Sequence, residues 1–399
     1  MIDRHDFLEL LWKWKDHDLV KVVTGVRRCG KSTALETFAD RLVESGIDQD
    51  AVIRMNFEAE SFDGIRSVED ARAWLAEHRP AGKRAYVFLD EVQRIPEFER
   101  LVDGLHHRKD TDVYVTGSNA RLLSGELATF LSGRYVELPL QPLSYREFAD
   151  GNGLDPGAWT TWADFVRFGA FPYVTALARD PVLVDGYLEG LFDTILVRDI
   201  LQRTGISDAV RLGRIARYLF DNVGNLTNVR RIADTLTSSG AKTAYNTVEA
   251  YVEALCESYL FRKAERFDVK GRELLKSGGK YYAADLGLRG TVLGHRPGDD
   301  GRVLENIVFN ELLRRGGCVY VGRSGDREID FVVRRGGDLA YYQVAETCRG
   351  PGVLERELAP LRDIRDNYPK TLVTLDAIPP SSADGIACVN AIDFLLGRD

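Results

Sequence analysis

The chain has 399 residues, of which 44% are apolar and 29% charged, and its formal net charge is −8. This length allows two or three domains with hydrophobic cores, and the composition is typical of a soluble globular protein. No apolar run approaches the roughly 20 residues that span a bilayer, and the acidic balance argues against a uniformly basic nucleic-acid protein while allowing a local basic surface. The five cysteines are scattered without metal-binding spacing, and the charged N-terminus lacks a signal-peptide core. We therefore expect a cytoplasmic protein with no membrane partner.

Strand-like and helical segments alternate over residues 1–150. A short amphipathic helix is expected within residues 3–15, where apolar residues recur at helical spacing. The predicted strands that follow are Leu19–Thr24, Ala51–Phe57, Arg84–Leu89, Asp112–Thr116 and Tyr135–Leu138. This rhythm predicts an α/β fold, in which a parallel sheet carries helices on both faces.

The first predicted strand leads into a loop that matches the pattern G-x-x-x-x-G-K-[ST], and a predicted helix follows it. The loop reads Gly25-Val26-Arg27-Arg28-Cys29-Gly30-Lys31-Ser32-Thr33. A strand, this loop and a helix form the setting in which the pattern binds phosphate through backbone N–H groups and the helix N-terminus. We expect ATP to bind along the loop, with Lys31 on the β- and γ-phosphates and Ser32 on Mg²⁺. The flanking elements disfavour the alternative, a glycine-rich turn without a ligand.

The next signals are polar residues at the ends of two later strands. Asp90 and Glu91 end an apolar strand about sixty residues after the loop. Asp90 would support Mg²⁺, and Glu91 would polarise the attacking water. The strand after it ends in Thr116-Gly117-Ser118-Asn119, which would place a hydroxyl or an amide near the γ-phosphate. A polar turn without a catalytic role is the alternative for this second segment.

Arg134 directly precedes the fifth predicted strand. An arginine there does not easily reach the nucleotide of its own chain, but it would project into the site of a neighbouring subunit. A guanidinium group is planar and always charged, so it suits the stabilisation of a transferring phosphate. A solvent-exposed surface arginine is the alternative.

Breaker-rich segments at residues 151–157 and 294–301 divide the rest of the chain. We predict an ATPase core over residues 1–150, a helical connector or lid over 151–206, and a helical domain with a hairpin over 207–290. The last predicted domain, 302–399, returns to an α/β pattern, with a helix over 302–315 and strands near 318–322, 328–334 and 339–345.

A helix–turn–helix pattern lies within residues 226–255. Apolar residues of its second helix face a core, whereas Lys242, Thr243, Tyr245 and Asn246 fall on the first turn, which we expect to be exposed. Such a turn is where a recognition helix meets base edges and phosphates. Residues 262–280 carry seven basic and three acidic residues, a local excess that suits a DNA-contacting wing. Protein contacts, or a solvated basic face, are the alternative.

Taken in order, these motifs resemble a bacterial and archaeal family of AAA+ ATPases, in which a winged helix and a restriction-endonuclease-like domain follow the ATPase core. The segments Leu138–Phe148, Gly169–Pro172 and Val197–Ile200 also resemble this family, and the similarity runs from about residue 4 to 375. The resemblance implies a homo-oligomer, such as a hexamer-like ring or spiral, with nucleotide at subunit interfaces and Arg134 acting in trans. It further implies that Ser118 or Asn119 is the sensor and that Asn56 restrains Glu91 until a ligand binds.

The C-terminal region resembles the PD-(D/E)XK endonucleases, which use acids to hold a divalent metal and a lysine to activate water. Glu305 and Asp330 match that pattern. Gln343 stands where the second strand carboxylate belongs, and Ala345 stands where the lysine belongs. Because a neutral amide binds Mg²⁺ poorly, we expect a degenerate site and a structural or DNA-docking domain.

The function that these features favour is an oligomeric ATPase that hydrolyses ATP with Mg²⁺ and couples hydrolysis to the binding or remodelling of duplex or branched DNA. A signalling or scaffold ATPase that binds a protein partner is the second hypothesis, and the acidic composition favours it somewhat. An ATP-gated nuclease is the third.

Overall fold

The structure is a computed structural model that describes residues 2–118, 120, 131, 133–238, 240, 243–294 and 298–398, with every side chain in this part except those of residues 276 and 277. Backbone contacts divide the chain into two compact units. The first comprises Met1–Pro142 and Glu257–Tyr259, and the second comprises Leu143–Cys256 and Leu260–Asp399. None of the described helices combines the length and the apolar character that crossing a membrane requires.

The first unit alternates helices and strands as the sequence predicts. Its elements are α1 (His5–Trp14), β1 (Val20–Thr24), α2 (Lys31–Glu44), β2 (Val52–Asn56), α3 (Val68–His78), β3 (Ala85–Asp90), α4 (Phe98–His106), β4 (Thr111–Gly117) and β5 (Tyr135–Pro139). The strands β1, β3 and β4 are buried along their whole length. Continuous burial is expected for strands of a parallel sheet that helices cover on both faces.

The five strands form one parallel sheet in the order β2-β3-β4-β1-β5, which confirms the predicted α/β fold. The first strand in the chain lies between the last two, since Val22 pairs with both Val115 and Glu137. Because all strands run in the same direction, the residues that follow β1, β3 and β4 meet at one edge of the sheet. We call this the carboxyl edge. Residues that precede the strands lie at the opposite edge.

The second unit begins with helices and ends in an α/β region. Its elements are α5 (Tyr145–Asn152), α6 (Trp159–Phe168), α7 (Pro181–Thr194), a π-helical segment (Ile195–Leu201), α8 (Ala209–Asp221), α9 (Val229–Ser238), α10 (Tyr245–Glu257), β6 (Phe261–Asp268), β7 (Glu273–Ala283), α11 (Leu286–Leu293), α12 (Asp300–Arg314), β8 (Cys318–Ser324), β9 (Arg327–Arg335), β10 (Asp338–Ala345), α13 (Val353–Arg362), β11 (Lys370–Thr374), β12 (Ser382–Ala383), β13 (Ile386–Asn390) and α14 (Ala391–Leu395). Three helices, α8 to α10, therefore precede an antiparallel hairpin, β6–β7.

The hairpin and the C-terminal strands belong to one eight-stranded sheet, in the order β12-β13-β11-β10-β9-β8-β6-β7. Strand β6 joins it by pairing in parallel with β8, for example Phe267 with Gly322. The sheet thus connects segments that the sequence separates by a linker. The predicted domain limits at residues 150, 206, 290 and 302 stay predictions. The first of the two compact units has its main boundary after Pro142.

The glycine-rich segment near residue 151 is partly helical, which differs from the predicted break. A capping box formed by Ser144 and Glu147 starts α5, and the helix continues through Asn152. It ends only at Gly153, whose φ of 64° is the left-handed conformation that glycine adopts easily. The predicted boundary cluster therefore contributes its first two residues to a helix.

A close approach explains the glycine of the Gly169–Pro172 segment. Asp285 caps α11 by accepting from the N–H of Leu288, and its other oxygen accepts from the N–H of Ala170 at 2.5 Å. A Cβ at Gly169 would lie 2.4 Å from Asp285 Oδ1, and one at Gly287 would lie 2.4 Å from the carbonyl oxygen of Phe168. Both glycines allow the two segments to interlock around a buried carboxyl group.

Candidate active site

The loop after β1 has the backbone shape that its two glycines allow. Gly25 has a φ of 148°, and a Cβ there would lie 2.1 Å from the carbonyl oxygen of Leu140. Gly30 has a φ of 101° and occupies the N-cap position of α2. The curled loop therefore ends at the N-terminus of a helix of 14 residues. Free N–H groups and the helix dipole make this a favourable place for a phosphate.

Lys31 lies in the first turn of α2 and is only 5% exposed. Its ammonium group donates to the backbone carbonyls of Gly25 at 2.9 Å and of Val26 at 3.2 Å. No carboxylate in the described part of the chain forms a salt bridge with it. A buried cation that only neutral carbonyls hold is poised to pair with an anion. Ser32 is half-buried and Thr33 exposed at the same helix start.

Thr116 connects the two predicted acids at the carboxyl edge. Its hydroxyl group donates to Asp90 Oδ1 at 2.5 Å and accepts from the backbone N–H of Glu91 at 2.9 Å. Thr116 is fully buried, and Asp90 and Glu91 are each 8% exposed. The hydroxyl group fixes both acidic residues relative to β4. Sequence reasoning placed Thr116 on the right strand end but gave it no role of its own.

Glu91 is held in an uncommon backbone conformation, with a φ of 52°. Its Oε2 accepts a hydrogen bond from Gln93 Nε2 at 2.6 Å. Burial raises the pKa of Glu91 above its ordinary value, and the Lys31 ammonium opposes this shift. The amide expected to restrain Glu91 was that of Asn56, but its Oδ1 accepts from the backbone N–H of Glu58 instead. Gln93 is near Glu91 because a 3₁₀ turn, Val92–Arg94, follows it directly.

Ser118 is the predicted sensor residue that the structure describes. It lies just beyond the end of β4 and is 1% exposed. Its hydroxyl oxygen is buried and has no hydrogen-bond partner among the described residues. An unpaired buried hydroxyl group is costly unless a ligand or a water satisfies it. Asn119, the other predicted sensor, lies outside the described residues.

The two arginines of the loop differ in environment. Arg27 is 9% exposed and lies 4.0 Å from Glu58, which also pairs with Arg94 at 2.8 Å. Arg28 is exposed and has a φ of 66°. The sequence gave no signal for Glu58, because the contact depends on how β2 ends beside the loop.

Arg134 lies at the opposite edge of the sheet from the loop. Its carbonyl oxygen accepts from the N–H of Val20, where β1 begins, whereas the loop starts after β1 ends. Five strand residues separate the two places, a distance of roughly 16 Å at a rise of about 3.3 Å per residue. The Arg134 side chain is 41% exposed and lies 3.8 Å from Asp103 and 3.2 Å from His107. It is therefore remote from the loop of its own chain, and its role in the site of a neighbouring subunit stays a prediction.

A second group of charged side chains lies in the eight-stranded sheet of the second unit. The Lys280 ammonium, on β7, is 2.8 Å from Glu305 Oε1, 2.7 Å from Glu328 Oε1 and 3.6 Å from Asp330 Oδ1. The predicted pair of Glu305 and Asp330 is thus brought together. Gln343 lies beside it, where its Oε1 is 3.4 Å from the N–H of Asp330. Sequence reasoning missed Glu328 and counted Lys280 as a wing residue.

The candidate DNA-contacting residues are only partly exposed. Tyr245 is 47% exposed and Asn246 is exposed at the start of α10. Thr243 was expected on the same exposed turn but is 7% exposed. It lies before α10, and its backbone N–H donates to the hydroxyl group of Thr237 near the end of α9. Lys242 lies outside the described residues.

The parallel sheet of the first unit and the loop after β1 are those of an AAA-type P-loop domain. Residues 17–149 match the family described as an AAA domain. The fold also resembles that of a Walker-type ATPase from Pyrococcus abyssi, with a TM-score of 0.50 and 16% identity over 73% of this chain and 96% of that chain.

The chain belongs to the same protein family as an uncharacterized protein of Haemophilus influenzae, to which it is 38% identical over 400 residues, or 99% of each chain. It is also 27% identical to the uncharacterized protein MJ1544 of Methanocaldococcus jannaschii, over 79% of this chain and 72% of that protein. Residues 160–299 match a domain of unknown function, DUF8612. That match covers the helices and the hairpin that precede α12.

Proposed function

We propose that this protein hydrolyses ATP with Mg²⁺ and uses the cycle to bind or remodel DNA. The observation that carries the ATPase proposal is the hydrogen-bonded set at the carboxyl edge. Thr116 holds Asp90 and Glu91, and the buried ammonium of Lys31 acts electrostatically on Glu91 by opposing the rise of its pKa. At the same edge lies the buried hydroxyl group of Ser118, which has no hydrogen-bond partner among the described residues.

Each residue of this set suits one part of the reaction. Lys31 would bind the β- and γ-phosphates, since carbonyl oxygens that it now contacts are weaker partners than a phosphate. Ser32 and Asp90 supply the hydroxyl and carboxylate oxygens that Mg²⁺ prefers, and Mg²⁺ would neutralise charge on the phosphates. Glu91 would orient water and accept its proton, which requires that it leave the Gln93 amide.

Arg134 would complete the site of a neighbouring subunit. The edge of the sheet that carries Arg134 is remote from the loop in the same chain, and the side chain is partly exposed. A homo-oligomer in which this edge meets the loop of the next subunit would bring a guanidinium group to the γ-phosphate. This arrangement supports an assembly such as a ring or a spiral.

The second unit supports a DNA partner. The order of three helices, α8 to α10, followed by the hairpin β6–β7 is that of a winged helix. Arg230, Tyr245, Asn246 and Lys263 are exposed along these elements. The region that follows, α12 with β8 to β10, has the order of a PD-(D/E)XK domain. Gln343 and Ala345 replace its usual carboxylate and lysine, so we propose docking rather than cleavage.

Mixing two inactive variants tests the shared site. Glu91→Gln and Arg134→Ala should each reduce ATP turnover by about 10²- to 10⁴-fold while ATP binding persists. In an equal mixture, Glu91 of an Arg134→Ala subunit meets Arg134 of a Glu91→Gln subunit, and random assembly would restore about a quarter of wild-type turnover. The exposed Arg108 provides the control, since Arg108→Ala should leave turnover unchanged. Intact oligomers without recovery in the mixture would contradict the trans role.

The DNA partner is tested by the ATPase rate with duplex, single-stranded and four-way DNA at two salt concentrations. Phosphate contacts predict stimulation that weakens steeply as salt rises. Lys263→Glu on the hairpin should reduce it, whereas Lys13→Glu on α1 of the first unit should not. Neither stimulation nor binding with any DNA would favour the alternative, a signalling or scaffold ATPase with a protein partner. The net charge of −8 is the observation that favours this alternative.

A further inference from the structure

Lys280 and three carboxylates form a cluster to which three elements of the second unit contribute. Glu305 belongs to α12, Glu328 and Asp330 belong to β9, and Lys280 belongs to β7. The side chain of Lys280 is 4% exposed, those of Glu305 and Asp330 are each 13% exposed, and that of Glu328 is 37% exposed. Tyr282, also on β7, donates its hydroxyl proton to Glu305 Oε1 at 2.6 Å. A Cβ on Gly224 would lie 3.0 Å from Glu305 Oε2, so the cluster is also enclosed from that side.

A divalent metal does not fit this arrangement. A nuclease of the resembled type needs its acids to surround a metal ion, with oxygens about 2.0–2.1 Å from Mg²⁺. Here an ammonium nitrogen already lies 2.7 to 2.8 Å from two carboxylates and 3.6 Å from the third. The described residues form no cluster of acids, histidines or cysteines arranged to hold a metal. We infer that the Lys280 ammonium takes the position of the metal ion and makes this a lysine-centred site without hydrolytic function.

The charges of the cluster agree with a permanent cation at its centre. Burial alone would lower the pKa of Lys280, but Glu305, Asp330 and Glu328 together raise it above its ordinary value. The lysine therefore stays protonated across the physiological range. Burial and the neighbouring Glu305 raise the pKa of Asp330 to about 7, which Lys280 opposes. The three carboxylates repel one another, and the ammonium group of Lys280 stabilises them in this arrangement.

The site also has a mechanical role. Strand β7 is an edge strand of the sheet and pairs with β6. Helix α12 and strand β9 come later in the chain than this hairpin. Lys280 and Tyr282 both reach Glu305 from β7, so the hairpin is fastened to α12 and β9 by charge as well as by backbone pairing. These contacts therefore fix the hairpin to α12 and β9.

The test is to remove the internal cation and offer a metal in its place. The full-length chain, free of nucleotide, is titrated with Mn²⁺ by electron paramagnetic resonance, and thermal unfolding is recorded with and without Mn²⁺. Lys280→Ala leaves room beside three carboxylates, so it should unfold at a lower temperature and regain stability with Mn²⁺. We expect it to bind Mn²⁺ at least about tenfold more tightly than the wild type. Lys280→Ala combined with Asp330→Asn should lose this response, and Lys270→Ala, an exposed lysine of the same hairpin, should behave as the wild type.

Two results would overturn the inference. One is a folded Lys280→Ala variant that gains no Mn²⁺ binding. The other is a wild-type chain that binds Mn²⁺ at a site removed by Asp330→Asn, or that nicks plasmid DNA with Mn²⁺ in a manner that Asp330→Asn abolishes. The wild-type measurement decides the question even if Lys280→Ala does not fold. Because no nucleotide is present, a failed ATPase proposal would leave these outcomes unchanged.

Discussion

Both units contain a buried lysine, yet the two lysines have different kinds of partner. Lys31 is held by two backbone carbonyls, and the acids Asp90 and Glu91 are bound to Thr116 and Gln93 instead. Lys280 is surrounded by carboxylates. The first lysine can exchange weak partners for a phosphate, whereas the second has already formed its strongest interactions. The partners of a buried lysine, rather than its burial, thus separate a binding site from a structural one.

The largest expected effects come from alanine substitutions of the two lysines. One substitution should reduce ATP affinity and the other should reduce stability. Lys31→Ala would remove the proposed charge-assisted hydrogen bonds to ATP, worth about 3 kcal/mol, so ATP affinity should fall at least about 100-fold while the free energy of unfolding changes little. Lys280→Ala leaves buried acids unpaired and should cost about 3–5 kcal/mol of stability while ATP affinity stays unchanged. Calorimetric titration with ATP and urea unfolding measure the two effects. A loss of both properties in either variant would contradict the contrast.

Asp285 is a buried acid whose carboxyl group is held by backbone N–H groups rather than by a lysine. It accepts from backbone N–H groups, and no salt bridge reaches it within the described part of the chain. Burial raises its pKa from 3.8 to about 6. Between these values the unfolded chain binds fewer protons than the folded one, so the contribution of Asp285 to the free energy of unfolding falls as pH rises from about 4 to 6. The loss should reach about 3 kcal/mol.

The measurement is urea unfolding at several pH values for the wild type and for Asp285→Asn. The asparagine keeps an acceptor but does not titrate, so subtracting the two profiles isolates this carboxyl group. A difference that stays constant from pH 4 to 6 would show that the N–H donors keep Asp285 ionised in the folded state.

Thr116→Val gives the smallest effect and tests how the acids of the first unit are held. The substitution preserves shape but removes the hydroxyl group between Asp90 and the N–H of Glu91. Loss of one buried hydrogen bond of about 1.5 kcal/mol should lower kcat about tenfold, with little change in KM. Thr111→Val, at the other end of β4, is the matched control. Equal losses in both variants would indicate a general weakening of the strand.

The fold of the first unit was predictable because its signals are local. Runs of β-branched residues mark the buried strands, and the loop motif fixes where β1 ends. The contacts of Glu91 were harder to predict, because Gln93 and Asn56 both carry an amide group. The turn after β3 determines that Gln93 is the one that donates to Glu91. Thr116 gained its role from the pairing of β3 with β4, which no single segment reveals.

The second unit shows why the remainder was harder to predict. Lys280 was counted as a surface charge because a sequence does not show that β6 pairs with β8. One signal was present, since Lys280 and Tyr282 lie two residues apart on a strand that ends at Ala283, so they share one face of it. The short strands β11 to β13 follow loops without a motif, and their places depend on the sheet that they join.

Under the proposed shared site, the position of Arg134 at the far end of β1 from the loop determines how many complete sites an assembly contains. A contact between opposite edges joins unlike surfaces, so it repeats in one direction and is not satisfied by a twofold pair. In an open row of n subunits, one loop always lacks an arginine, which leaves n − 1 complete sites, whereas a closed ring has n. ATP turnover per subunit would therefore rise with protein concentration as rows lengthen and become constant once rings form. The concentration dependence of the rate would thus distinguish an open row from a closed ring.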